Sequence, residues 1–194
     1  MTLLSAQKIS YSINDKKLFH GLSFNVQNGE ALHVKGSNGS GKSTLLRILL
    51  GITPPSKGKI ERSNPDLKIS YLGHKNAIKN YLTPAQNLEL LFNESELGIA
   101  LKWLRELDLS SVQEELTSNL SFGQKKKLAL IRVLAKPQEL IVLDEPFVGL
   151  DQDASQILNN FLVNQLSNQV SLIFTSHIHP DVECKVLDLS NNSA

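Results

Sequence analysis

Apolar positions along the chain follow two kinds of spacing, and the way these alternate sets the fold class. Residues 68–72, 140–143 and 171–175 are short, near-continuous apolar runs, the pattern of parallel strands covered on both faces. Residues 18–26 and 31–34 also predict strands, and 185–189 predicts a last one at the sheet edge. Between them the spacing turns helical. Leu45, Ile48, Leu49 and Ile52 recur at i, i+3, i+4 and i+7, in a segment that Gly51 and Pro54-Pro55 close. Thr83-Pro84 offers a cap and a first-turn proline to a helix with Leu88, Leu91 and Phe92 on one face. Leu97, Ala100, Leu101, Leu104 and Leu107 mark a second helix. From 76 to 116 the pattern is helical with no strong strand signal, so an α/β core with a helical insertion is expected.

Chemistry enters at the strand ends. Gly36-Ser37-Asn38-Gly39-Ser40-Gly41-Lys42-Ser43-Thr44 fits G-x-x-x-x-G-K-[ST], following the 31–34 strand and opening the Leu45 helix. Such glycines let backbone N–H groups converge on phosphates. The helix N-terminus adds partial positive charge, Lys42 a full one, and Ser43 an oxygen for Mg²⁺. The 140–143 strand ends in Asp144-Glu145. Asp144 is placed to hold the Mg²⁺ shell through water, and Glu145 to orient and polarise an attacking water. At Leu120-Ser121-Phe122-Gly123-Gln124 a serine and a glycine precede a helix with Leu128, Ile131, Leu134 and Ala135 on its apolar face. Taken alone, that start reads equally as a helix cap or as a second anion site.

Length and charge narrow the picture only slightly. A chain of 194 residues suits one domain with room for a real core, and 41% apolar with 20% charged residues is ordinary for a globular protein. A net charge of +1 supplies no field for gripping nucleic acid. The single cysteine, Cys184, fits a reducing compartment, and no apolar run reaches the roughly 18 residues needed to cross a bilayer. Lys125, Lys126 and Lys127 read as a solvated face, and Trp103 as core or groove packing. His20, His33 and His179 show no metal-ligand spacing, and the stretch 189–194 reads as a frayed tail.

In chain order, residues 36–44 resemble Walker A, 120–124 the LSGGQ signature with Phe122 in place of a glycine, and 140–145 Walker B with its catalytic glutamate. Gly149-Leu150-Asp151 resembles the D-loop and Thr175-Ser176-His177 the switch-histidine loop, so the chain is similar to ATP-binding-cassette (ABC) ATPases over nearly its whole length. That resemblance implies an α/β P-loop NTPase core of mainly parallel sheet, with an N-terminal antiparallel β region and a helical subdomain at residues 75–120, in one domain over 1–194. It implies ATP and Mg²⁺ as cofactors and a homodimer of ATPase subunits. ATP on one copy's P-loop would be capped by Ser121, Phe122, Gly123 and Gln124 of the other, with Asp151 in the D-loop and His177 on the γ-phosphate. Two positions depart from the family. The adenine-stacking aromatic should fall near Ile13, with Tyr11 two residues earlier, on the same face of a regular strand. His74 stands where most relatives carry a glutamine that senses γ-phosphate and Mg²⁺ and couples to the membrane partner.

The stretch 71–79 with Leu82-Thr83-Pro84 and Asn87-Leu88, together with 18–24 and Asp144-Glu145-Pro146-Phe147, resembles the cytochrome c maturation ATPases within this family. This implies a peripheral protein on the cytoplasmic face of the bacterial inner membrane. Its partners would be an integral membrane permease of the CcmB type and haem-handling maturation proteins, and its work haem export or release of a haem-loaded chaperone. The alternative is the ATPase subunit of another small ABC transporter without haem. Cassette proteins acting on DNA or ribosomes carry a long coiled coil or a second cassette, for which the chain has no room. A small-molecule kinase would leave Ser121, Asp151 and His177 unexplained.

Overall fold

The computed structural model describes residues 1–14, 16–178 and 181–190. In chain order, β1 (Thr2–Ile13), β2 (Lys16–Gln27) and β3 (Ala31–Lys35) lead into α1 (Lys42–Leu49), β4 (Lys57–Arg62) and β5 (Ile69–Leu72). Helices α2 (Pro84–Leu91), α3 (Glu94–Glu106) and α4 (Phe122–Leu134) follow, then β6 (Leu140–Asp144), α5 (Gln152–Ser167), β7 (Ser171–Thr175) and β8 (Lys185–Asp188). The fold is mixed α/β. A three-stranded antiparallel sheet has the order β2-β1-β4, and a parallel five-stranded sheet the order β5-β6-β7-β3-β8.

That second order positions the site. β3, β6 and β7 are sequence-distant but parallel neighbours or next-neighbours, so the loops at their carboxyl ends meet on one edge of the sheet. The strands are apolar throughout because both faces are covered. Ile141, Leu143, Leu172 and Phe174 pack with α2, α3, α4 and α5, while Leu140, Val142 and Ile173 pack with α1 and the antiparallel sheet. Burying each such side chain contributes about 1.5–3 kcal/mol, which fixes the strand register and therefore the loop positions.

Helices α2 and α3 start on closed capping boxes, Thr83 with Gln86 and Asn93 with Glu96, and Pro84 occupies the first turn as its fixed φ favours. Leu88 and Phe92 are buried but Leu91 is 37% exposed, so the α2 face is narrower than its spacing predicts. Ile52 also departs from expectation. α1 ends at Leu49, and Ile52 lies beyond the turn at 60% exposure. Three elements were not individually predicted. β1 carries a bulge at Lys8 (φ 49°), with register shifts against both neighbours that interrupt its alternation. β4 has a single apolar side chain, and α5 buries only Ala154, Leu158 and Leu162. Leu189 is fully buried, its N–H bonded to the Lys35 carbonyl at 2.9 Å, so the expected fraying does not begin there; residues 191–194 lie outside the described ones. No described helix is long and apolar enough to cross a membrane.

Candidate functional site

A cleft of ≈ 560 Å³ opens at the carboxyl ends of β3 and β6. Asn38, Gly39, Gly41, Lys42, Ser43 and Thr44 form one wall; His74, Asp144, Glu145 and His177 face them, and Ile13 and Leu18 supply an apolar side. The P-loop wall depends on Gly41, the N-cap of α1, at φ 97°. A Cβ there would lie 3.1 Å from Leu18 Cβ. No side chain among the described residues caps this helix, which leaves its first N–H groups for an anion. Lys42 Nζ donates to the carbonyls of Gly36 at 2.9 Å and Ser37 at 3.2 Å, so its charge is held over the loop. Gly36 and Lys42 also line a smaller adjoining cavity of ≈ 270 Å³ with His33 and His177. Ser40 Oγ is buried without a hydrogen-bond partner among the described residues, and the Ser40 N–H closes the loop onto the Ser37 carbonyl at 3.2 Å.

Opposite this wall, Thr175 organises two carboxylates. Its Oγ1 donates to Asp144 Oδ1 at 2.8 Å and accepts from the Glu145 N–H at 3.0 Å, while its carbonyl accepts from the same N–H at 3.1 Å. Glu145 is thereby held at φ 49°, a left-handed conformation that costs a non-glycine residue about 1–3 kcal/mol. Its Oε2 accepts from the His177 N–H at 3.2 Å; His177 Nε2 lies 3.6 Å from Oε1, beyond hydrogen-bond reach. Two buried oxygens, Glu145 Oε1 and Asp144 Oδ2, have no hydrogen-bond partner among the described residues. Unsatisfied buried carboxylate oxygens facing a phosphate-type loop and Ser43 fit a hard cation with oxygen ligands and a positioned water.

Lys126 corrects the sequence reading of a solvated lysine face. It is 3% exposed, and its Nζ donates to the Glu145 carbonyl at 3.1 Å. Burial pushes its pKa down while Asp144 and then Glu145 pull it back up. Lys127 pairs with Asp151 at 2.6 Å, and Lys125 donates to the Ser118 carbonyl at 3.0 Å. A run of three lysines gives no sign in sequence that the helix turns the middle one inward. His33, assigned nothing from sequence, is buried at 1%, stacks on Phe174 at 4.5 Å, and donates from Nε2 to the Ser176 carbonyl at 3.0 Å beside the switch loop. His20 lies away from the cleft, and His179 falls outside the described residues.

His74 reaches the cleft from the loop after β5, and that loop is anchored by Asn87. The Asn87 side chain, 2% exposed, accepts from the Lys79 N–H at 2.8 Å and donates to the carbonyls of Lys79 and Thr83 at 3.0 Å and to Thr117 Oγ1 at 3.2 Å. Such bonds contribute about 1 kcal/mol each, so they tie the His74 loop to the helical region. The structure also separates Ile13 from Tyr11. A register shift between Tyr11 and Ser12 breaks the regular i, i+2 alternation. Ile13 faces the cleft, whereas Tyr11 stacks on Phe19 at 6.4 Å against the core. Trp103 is partly buried and meets Phe161 edge-on at 6.1 Å, the packing expected of it.

The remaining predicted residues cluster elsewhere. Ser121 caps α4, its Oγ accepting from the Gln124 N–H at 3.2 Å while Gln124 Oε1 accepts from the Ser121 N–H at 2.8 Å. Phe122, 62% exposed, lies over Gly149 (φ 83°), where a Cβ would fall 2.2 Å from the ring; a Cβ on Gly123 would meet the Gly149 carbonyl at 2.8 Å. Asp151 caps α5 through the Ala154 N–H at 2.9 Å, and the Lys127 bond, then this one, holds its carboxyl below the usual range. Signature and D-loop therefore pack on each other, and none of Ser121, Phe122, Gly123, Gln124 or Asp151 lines the P-loop cleft of its own chain.

Residues 19–148 match the family described as ABC transporter. The chain is 35% identical to the cytochrome c biogenesis ATP-binding export protein CcmA of Dechloromonas aromatica (strain RCB), covering 90% of this chain and 92% of the relative. It is 36% identical to the protein of that name from Idiomarina loihiensis, covering 90% and 85%. Among solved structures, an ATP-binding subunit of an ABC transporter superposes with a TM-score of 0.84 at 25% identity, covering 97% of this chain and 86% of that one. A dimeric ATP-binding cassette in a post-hydrolysis state with ADP and Pi shares the fold, with a TM-score of 0.78 at 21% identity over 91% and 88%.

Proposed function

On the premise that this chain belongs to the ABC transporter family, as an ATP-binding and ATP-hydrolysing subunit, we propose that it energises the transport complex of c-type cytochrome biogenesis. The single observation that carries the catalytic part is the pairing, across one cleft, of an uncapped helix start with two buried, unpartnered carboxylate oxygens.

Lys42 and the first N–H groups of α1 hold the nucleotide phosphates, and Ile13 offers an aliphatic surface to the base. Ser43 and Asp144 would hold Mg²⁺, which would neutralise charge on the phosphates. Glu145 orients and deprotonates the attacking water. Its Oε2 is fixed by the His177 N–H, leaving Oε1 for that water, and such positioned base catalysis contributes about 10²–10⁴-fold. His177 and His74 border the terminal phosphate position. Ser121, Phe122, Gly123 and Gln124 act in a second copy's cleft, so two chains form the working unit, with Asp151 between them. That homodimer sits peripherally on an integral membrane permease of the CcmB type, on the cytoplasmic face of the inner membrane, with haem-handling maturation proteins in the complex. The work done is haem export or release of a haem-loaded chaperone. Whole-length similarity to relatives named for cytochrome c biogenesis supports this over another small transporter.

Glu145→Gln tests both levels. Turnover falls by about 10²–10⁴-fold while ATP binding persists and a dimer accumulates; monomer alone on sizing with ATP and Mg²⁺ present counts against the mechanism. Gentle detergent extraction of tagged Glu145→Gln with ATP is expected to bring down a polytopic partner with a haem absorption band. A different permease without haem keeps the ATPase and removes its cytochrome role.

A further inference from the structure

The Glu145 backbone is held on both sides by groups from other elements. Its N–H is taken by Thr175, and its carbonyl by the ammonium of Lys126 at 3.1 Å. The conformation so held is unfavourable twice over. A φ of 49° is uncommon for any residue with a Cβ, and the following Pro146 biases its predecessor toward extended backbone. Left to itself, the segment would relax and swing the Glu145 carboxylate from its place beside the His177 N–H. Lys126 is 3% exposed, and its long stem brings the donor from α4, the helix that Ser121 caps, to the end of β6. A buried ammonium costs desolvation that a surface lysine avoids, so its inward position needs a reason beyond packing.

We infer that Lys126 is a positioning residue for hydrolysis, holding Glu145 in the conformation from which its carboxylate reaches the cleft, and tying that glutamate to the helix that carries the signature. The inference rests on the proposed role of Glu145 as the base. Lys126 does not itself line the cleft and meets it through the Glu145 carbonyl, so its loss acts on the chemical step and leaves ground-state binding in place.

Lys126→Met keeps the length and apolar stem and removes the donor. In the dimeric, nucleotide-loaded protein, kcat is expected to fall by about tenfold to a hundredfold, the loss typical of a displaced catalytic group. KM for ATP and nucleotide affinity should stay at the wild-type values, and the thermal midpoint at or above that of wild type. Wild-type turnover in Lys126→Met overturns the inference, and so does a turnover loss matched by an equal loss of nucleotide affinity. Glu145→Gln in the same assay separates the two ideas. If Glu145→Gln hydrolyses ATP normally, the assignment of the base fails and the tether with it; an inactive Glu145→Gln beside an unimpaired Lys126→Met removes the tether alone.

Discussion

Two helices begin at glycine-containing motifs, and they begin differently. α1 starts at Gly41 with no side-chain cap, whereas α4 starts at Ser121 inside a closed capping box. Both present N–H groups and a partial positive charge, but at α4 Ser121 Oγ already takes the Gln124 N–H, whereas at α1 no described side chain takes one. The α1 start faces its own chain's carboxylates across a cleft, while the α4 start sits on the D-loop away from that cleft. The uncapped start suits the phosphate site proposed within one chain, and the self-capped one, stable without ligand, suits the proposed contact with a nucleotide that another copy holds.

Removing the charge at the uncapped start should have the largest effect. Lys42→Ala deletes the ammonium that the loop carbonyls hold at the cleft, and a charged hydrogen bond from it to a phosphate is worth about 1.5–3 kcal/mol. Nucleotide affinity should fall by about tenfold to a hundredfold in a calorimetric titration, with the thermal midpoint little changed. Unchanged affinity would place the phosphates elsewhere. At the capped start the two readouts exchange roles. Ser121→Ala loses a cap worth about 1 kcal/mol, lowering the thermal midpoint by about 2–4 °C, while nucleotide affinity of the monomer stays at wild type and turnover of the dimer drops. If its affinity fell as in Lys42→Ala, the two helix starts would serve the same cleft and the contrast between them would collapse.

The features legible in sequence were those whose local pattern is also their tertiary role. The runs at 140–143 and 171–175 are apolar because both faces are covered, and the 36–44 motif names its own turn and helix. The bulge at Lys8 disrupts the alternation that would have announced β1, and it takes a sheet partner to restore the strand. α5 differs: Ala154, Ile157, Leu158, Phe161, Leu162 and Leu166 recur at helical spacing behind the Asp151 cap, a stripe that packs on the core and was readable in the sequence. Within the site, Asp144 and Glu145 are visible as a strand-end pair, but what shapes them is not. Thr175, Lys126 and Asn87 act through side-chain hydrogen bonds to residues far along the chain, which leave no periodicity behind. A buried lysine in a run of three lysines has the same sequence signal as a solvated one.

The smallest expected effect probes how the capped region is held. Asp151 caps α5 and pairs with Lys127 on α4, so it joins the D-loop to the signature helix. Asparagine keeps the capping oxygen, and Asp151→Asn therefore removes the charge alone. With the Asp151 side chain 55% exposed, the pair should contribute about 0.5 kcal/mol, lowering the thermal midpoint by about 1–2 °C at neutral pH. The Lys127 bond, followed by the Ala154 N–H, depresses the folded-state pKa of Asp151 below its ordinary value of 3.8. A depressed carboxylate stabilises the fold above its unfolded pKa and loses that contribution as pH falls through the folded one. The gap between wild type and Asp151→Asn is thus full near neutrality, narrows only in acid below about pH 4, and closes as Asp151 protonates. Thermal melts at neutral and acidic pH read this directly. A wild type that melted below Asp151→Asn at neutral pH would mean that the negative charge at Asp151 works against the fold, and that Phe122 over Gly149 carries the contact between signature and D-loop without help from the ion pair.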